Sequence, residues 1–326
     1  MRTILNTLRR GLCCVLVALL PVVTVAQPAK PITFLVGYPA GGATDLMARL
    51  FAEALGTRLG SSVVVVNKPG AGGRLAVMDV KRAPTDGSLL LFTKASPMVI
   101  YPHIYSDLAS DPQRDFVPVA IGGRTDLVLS VGPGVPATVK TLKDYIAWVK
   151  ASPDNASSGS VQGTSPHFAG QAFASVAGLN LRLVPYMGGA QAVTDLLGGH
   201  VPAIVGTLGE ARTFEIEGGL RMLAVMSARR SSLAPNLPSM AEPGFPSADL
   251  PGWVGLLAPA GTPAAAVERV SAAFTEISKA PEVMAQIRRI GLDPDTSTTA
   301  GFQAIIETDT LNYKKAVALT GFKAQD

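Results

Sequence analysis

The sequence holds two cysteines in 326 residues, and both, Cys13 and Cys14, stand in an N-terminal apolar run. The remainder of the chain therefore offers no disulfide framework, thiol nucleophile or zinc–thiolate site. Histidine is nearly as scarce, at three, and nothing in the spacing suggests a metal site. No serine occupies a Gly-x-Ser-x-Gly elbow, so a hydrolase lacks its usual marker. There is no basic tract and no interleaving of basic and aromatic residues, which removes the footprint of a nucleic-acid binder. Beyond residue 26 no apolar run free of Gly, Pro or charge approaches the ~20 residues of a membrane-spanning helix.

What the N-terminus does contain is a leader. Arg2, Arg9 and Arg10 precede the apolar run Leu12 to Leu20, which is followed by Thr24-Val25-Ala26. These are the three parts of a secretory signal, with cleavage expected near Ala26. Arg9-Arg10 fits twin-arginine export poorly, so ordinary secretion is the expectation. Removing the leader lowers the basic residues from 28 to 25 against 24 acidic, leaving a net charge of +1. The apparent basicity belongs to the leader.

A mature chain of about 300 residues exceeds what one core usually holds, and two domains are expected. Strand-like runs recur at 32–36, 63–66, 89–93, 117–121, 127–131, 181–184, 203–205 and 220–225. Helical patterns at 142–150, 168–176, 190–197, 264–278 and 302–318 alternate with them, which reads as α/β with largely parallel sheets. Short crossings near 123–126 and 227–230 predict an inserted domain: residues 27–125 plus 228–326 form one lobe, residues 126–227 the other, and a ligand cleft lies between them. In open α/β sheets such ligands sit beyond the carboxyl ends of strands.

Three glycine-rich junctions mark those ends. Gly37-Tyr38-Pro39-Ala40-Gly41-Gly42-Ala43 joins a strand to an amphipathic helix carrying Met47, Leu50, Phe51, Ala54 and Leu55. Backbone N–H groups and the positive end of the helix suit a carboxylate or phosphate there. Thr44 is expected to cap this helix and Asp45 to complement its first turn. The second junction, 157–167, is rich in Ser, Gly and Thr; the third is Val184-Pro185-Tyr186-Met187-Gly188-Gly189-Ala190. Gly70-Ala71-Gly72-Gly73 superficially suggests a dinucleotide loop, but Leu75 stands where the third glycine belongs, so close packing is the expected role.

The segments FLVGYPAGGATDLMAR (34–49), NKPGAGG (67–73), 159–170, VPYMGGAQAVTDLLGGHV (184–201), RMLAVMSARR (221–230) and WVGLLAPAGTP (253–263) resemble, in order, the signatures of the Bug family. These are extracytoplasmic solute receptors of tripartite tricarboxylate transport systems. The resemblance implies a two-lobed periplasmic-binding-protein fold, type II-like, closing on a small organic acid: a di- or tricarboxylate, an acidic amino acid or an aromatic acid. It implies binding without catalysis, no cofactor and no metal, and delivery to membrane transporter subunits. A sensory receptor passing occupancy to a membrane signalling protein is the alternative, followed by a secreted α/β enzyme acting on small acids.

Mapped onto this chain, the resemblance implies a first-lobe site of Tyr38, Ala40, Gly41, Gly42, Ala43, Thr44 and Asp45, walled by residues 93–96 with Thr93 and Ser96. The second lobe would contribute Ser160, Gln162, Gly163, Thr164, His167, Tyr186, Gly188 and Thr207. Two departures from the family stand out. Gly206-Thr207-Leu208 occupies a stretch where relatives often carry an acidic residue, so no carboxylate role is carried over. Met187 replaces a frequent basic residue, which counts against highly charged ligands such as citrate. Read from the residues alone, Asp45 defaults to serving the helix N-terminus, His167 could donate to a carboxylate, and His103 and His200 are structural or exposed. Tyr38 and Tyr186 could cover the ligand, whereas Trp148 and Trp253 are expected in the cores.

Overall fold

A computed structural model describes residues 30–245 and 250–324. The predicted leader lies outside these residues. Among the described residues eleven strands form two mixed sheets. The first sheet takes β1 (Ile32–Val36), β2 (Val63–Asn67), β3 (Leu89–Lys94), β4 (Phe116–Thr125), β10 (Gly252–Pro259) and β11 (Asp293–Pro294), in the order β11-β4-β10-β3-β1-β2. The second takes β5 (Leu127–Val131), β6 (Ser157–Val161), β7 (Arg182–Tyr186), β8 (Ala203–Thr207) and β9 (Arg221–Val225), in the order β7-β6-β8-β5-β9. The chain passes to the second sheet between Thr125 and Leu127 and has returned by Gly252.

Among the described residues the helices of two turns or more are α1 (Ala43–Leu59), α2 (Arg74–Lys81), α3 (Leu142–Ala151), α4 (Ser165–Ala177), α5 (Gly189–Leu197), α6 (Leu208–Ile216), α7 (Ala264–Ser278), α8 (Pro281–Ile290) and α9 (Thr299–Thr320). Helix α1 buries Met47, Ala48, Phe51, Ala52 and Leu55 against β1 and β3. Phe51 stacks on Phe274 of α7 with centroids 3.8 Å apart. A second core is continuous from one sheet to the other: Phe168 and Phe173 of α4 lie in the same apolar cluster as Leu35, Trp253 and Tyr313.

The expectation of largely parallel sheets is corrected. β1 runs parallel to β2 and β3, and β6 to β7 and β8, but β10 is antiparallel to β3 and β4 and β5 is antiparallel to β8 and β9. Each of the antiparallel pairs among the described strands includes β4, β5 or β10, the strands on either side of the crossings. β10 was not read as a strand because all eight of its residues are buried, so it shows no alternation of polar and apolar positions. β4 continues through Gly122 and Gly123 to Thr125. A Cβ on Gly122 would sit 3.2 Å from Phe51 and one on Gly123 would sit 3.2 Å from Asp293 O. These glycines admit neighbours to the strand instead of turning it. Trp253 is fully buried and donates from Nε1 to Asp309 at 3.0 Å, as expected of a core residue, while Trp148 is partly buried against the same core.

Candidate functional site

At the end of β1 the chain makes two tight approaches before α1 begins. A Cβ on Gly37 would fall 2.8 Å from the Cα of Gly73, so the two backbones pack directly together. Beyond it, Gly41 takes φ 82°, a region that favours glycine. Its N–H donates to Asp45 Oδ2 at 2.8 Å. Asp45 is buried and also accepts from Arg49 Nε at 3.0 Å and Asn67 Nδ2 at 2.9 Å. Burial works to raise its carboxyl, but these hydrogen bonds outweigh that and hold it below the usual carboxylate range. Asp45 is thus the clamp of the loop as well as a first-turn acid.

The expectation that Thr44 caps α1 is corrected. The cap position is Gly42, and Thr44 lies within the helix. Its hydroxyl is buried with no hydrogen-bond partner among the described residues. No side chain caps the helix, so N–H groups of its first turn stay available while Ala40, Gly41, Gly42 and Ala43 face solvent.

Tyr38 lies beside this loop, its hydroxyl 3.4 Å from Gly72 O and its ring 4.8 Å below Lys94 Nζ. Burial pushes the Tyr38 phenol far up, with Tyr101 adding to the rise. Thr93 is buried next to it, its hydroxyl without a hydrogen-bond partner among the described residues. Ser96 is buried at the start of the short helix Ser96–Val99. The loop of Gly70 to Gly73 has the packing role expected of it: a Cβ on Gly72 would lie 2.4 Å from the Tyr101 hydroxyl.

The second sheet repeats the arrangement with its donors differently engaged. Ser160 near the end of β6 is buried, and its hydroxyl has no partner among the described residues. Gln162 is exposed at the loop tip. Thr164 holds the cap position of α4, yet its hydroxyl donates back to Val161 O at 2.6 Å and caps nothing. Gly163 N–H donates to His167 Nδ1 at 3.2 Å. His167 is buried, tilted against Phe168 and edge-on to Phe322, and burial lowers its pKa to about 4. It is a neutral ring that fixes the loop from behind.

At the third junction the Tyr186 hydroxyl donates to Asp195 Oδ2 at 2.9 Å and the ring packs over Gly159. Burial and the Asp195 carboxylate push its phenol up to about 12. Gly188 caps α5 without any side-chain bond, and Met187 is 95% exposed. Thr207 caps α6 by accepting from Glu210 N at 3.4 Å. Three of the helices that follow the glycine-rich junctions, α1, α4 and α5, therefore start without side-chain caps, whereas α3 carries a full capping box of Thr141 and Asp144.

A family profile described as the tripartite tricarboxylate transporter family receptor matches residues 47–319. The chain belongs to this receptor family. It is similar to the protein BugT of Bordetella pertussis, with 31% identity over 93% of each chain. Among solved structures it is similar to an R. palustris protein determined with adipate, at a TM-score of 0.81 and 28% identity, covering 91% of this chain and 99% of that one. The periplasmic binding protein BugD gives a TM-score of 0.76 and 27% identity over 92% of this chain and 100% of that one. The two-lobed periplasmic-binding-protein fold follows. Among the described residues of this receptor no helix is long and apolar enough to cross a membrane, and no cluster of His, Cys, Asp or Glu could hold a metal ion.

Two charged residues of the receptor were not singled out from sequence. Lys94 ends β3 within the expected wall of residues 93–96, and Glu210 stands in the first turn of α6, two residues beyond the stretch Gly206-Thr207-Leu208. Burial lowers the Lys94 ammonium, and the Glu210 carboxylate from the opposite sheet partly restores it. Strand-end position flagged the first; the second needed the turn of α6 to bring it forward.

Proposed function

We propose that this receptor captures a small carboxylate in the periplasm, closes its two lobes over it and presents the closed form to a membrane transporter. The lobes are residues 27–125 with 228–326 and residues 126–227, and residues 1–26 are the secretory leader. The observation that carries the reading is the pairing of uncapped helix starts from both sheets with the buried, unpartnered hydroxyls of Thr44 and Ser160. Free N–H groups at helix starts favour an anion, and each neutral hydrogen bond adds roughly 0.5–1.5 kcal/mol net. The N–H groups of Gly42, Ala43 and Thr44 read the carboxylate from the first lobe, and Ser160 with Gln162 meets it from the second. Asp45, His167 and Tyr186 hold those loops in place. The adipate held by the R. palustris relative supports the ligand class.

Ligand that prefers the closed arrangement shifts the open–closed population, and a membrane partner reads the shape. The test is a thermal-shift and calorimetric screen of the chain from Gln27 onward against mono-, di- and tricarboxylates, amino acids and aromatic acids, with native mass spectrometry for retained ligand. Selective stabilisation by one acid class without turnover supports a receptor. Conversion of the acid, or indifference to every acid, overturns it.

A further inference from the structure

Helix α9 ends at Gly321, whose φ of 62° is the left-handed turn that glycine allows, and the N–H of this glycine donates back to Val317 O at 3.1 Å. The three residues that follow lie against the short helix Tyr101–Ile104, which comes after β3 of the first sheet. Ala324 N–H donates to Ile104 O at 2.9 Å, and Lys323 Nζ donates to His103 O at 3.3 Å. Between the turn and these two anchors stands Phe322, half-buried. Its ring is edge-on to His167 of α4, with centroids 5.0 Å apart, and 6.1 Å from Phe168. The end of α9 therefore joins an element of the first lobe to the start of a helix in the second.

That helix start follows the loop of Gln162 to Thr164. At its tip Gly163 takes φ 74°, and its N–H is held by His167 Nδ1 at 3.2 Å. A Cβ on Gly163 would lie 3.5 Å from Ile104 Cδ1 and 3.7 Å from Phe322 Cε1, so the tip has the first lobe and the chain end as close neighbours, with room for a methyl group but little more. Gln162 N–H adds only a long bond, to Tyr186 O at 3.4 Å. His167 is the bolt of this loop, and it is held between Phe168 and Phe322. Without the Phe322 ring it loses its aromatic neighbour on one side, and the Nδ1 that anchors Gly163 can turn away. A loop that must be ordered on binding costs affinity, whereas one already set does not.

Resting on the receptor reading above, we propose that Phe322 is a positioning residue for the second-lobe ligand loop: tied to the first lobe through Ala324, it seats His167 and Gly163 and so presents Gln162 to the bound acid. It acts through His167 and touches no ligand itself. The experiment combines hydrogen–deuterium exchange with calorimetric titration, on the chain from Gln27 onward and on its Phe322→Ala, Phe322→Leu and Leu319→Ala variants. Leu319 lies on the same helix end but is 69% exposed, which makes it the control. The probes are adipate, succinate, citrate, glutamate and benzoate, with circular dichroism to confirm folding.

Phe322→Ala is expected to speed exchange over residues 160–168 about tenfold, to leave residues 190–197 of α5 unchanged, and to weaken the tightest-binding probe about tenfold. Phe322→Leu, which keeps most of the bulk, should recover the larger part of both effects, and Leu319→Ala should show neither. Exchange over 160–168 that Phe322→Ala leaves unchanged, or that rises equally along the whole chain, overturns the positioning role and keeps the receptor. So does a loosened loop with unaltered affinity. If none of the probes binds the folded, unaltered chain, the receptor reading falls and the positioning role with it.

Discussion

Asn67 Nδ2 donates to Asp45 Oδ1 at 2.9 Å, tying the end of the second strand to the first turn of α1. The same amide nitrogen donates to Tyr38 O at 3.1 Å, so one side chain holds both ends of the glycine-rich loop. Asp45 answers by accepting from Gly41 N–H inside that loop. The loop shape is therefore set by a buried carboxylate and an amide before any ligand arrives.

Replacing Asp45 with Ala removes the acceptor of three hydrogen bonds at once. The expected loss is about 2–4 kcal/mol of stability, since bonds to a charged group are each worth about 1.5–3 kcal/mol and Arg49 can turn to water. Urea unfolding monitored by Trp fluorescence measures it. A midpoint shift of less than half the one expected shows that the loop keeps its shape without the carboxylate.

His167 supplies the pH dependence. Its folded pKa, about 4, lies below its ordinary value of 6.5, so the unfolded chain binds the proton more readily. The stability it contributes is fully present above pH 6.5 and is lost as pH falls from there to about 4. The contribution is on the order of 2–3 kcal/mol across that window. His167→Asn keeps an acceptor for Gly163 N–H and does not titrate. A plot of melting temperature against pH should be flatter for this variant between pH 4 and 6.5; parallel curves refute the assignment.

For Tyr186 the structure predicts a stability effect separate from binding. Removing its hydroxyl in Tyr186→Phe costs Asp195 a donor and should destabilise the second lobe by about 0.5–1.5 kcal/mol. Ligand affinity should stay within twofold. A large affinity loss with unchanged stability would place the hydroxyl on the ligand instead.

Gly37→Ala tests the backbone contact beneath the first loop. Its Cβ would lie 2.8 Å from Gly73 Cα, which cannot rotate away as a side-chain tip can. A loss of about 1–3 kcal/mol is expected, as for overpacking in a core. Gly188→Ala meets nothing within 4 Å and serves as the control, with an expected change below about 0.5 kcal/mol.

Much of the fold was legible because it rests on short-range pattern. The strand 32–36, the helix with Met47, Phe51 and Leu55, and the alternation along the chain all carry periodicity that the sheet and helix surfaces require. The eight buried residues of Gly252–Pro259 carry none, and the direction of that strand depends on a partner more than a hundred positions away. At the site, the glycine-rich junctions were visible as backbone chemistry, but the commitments of individual groups were not. That His167 turns its Nδ1 to Gly163, or that the Tyr186 hydroxyl meets Asp195, follows from tertiary packing. Glu210 was passed over because the helix turn that carries it forward begins only after Thr207.

The pairing of β10 with β4 bears on how the chain is made. The two strands run side by side from Gly252 opposite Thr125 to Pro259 opposite Phe116, yet the whole second sheet is threaded between them. A chain emerging N-terminus first holds its opening strands without their central neighbour until some 250 residues are out. The first sheet cannot close early, and the final helix, Thr299–Thr320, seals both halves last by packing on β4 and on α4. Such an order of assembly makes completion of the first sheet one of the last events of synthesis, so its folding is committed only when the last quarter of the chain is present.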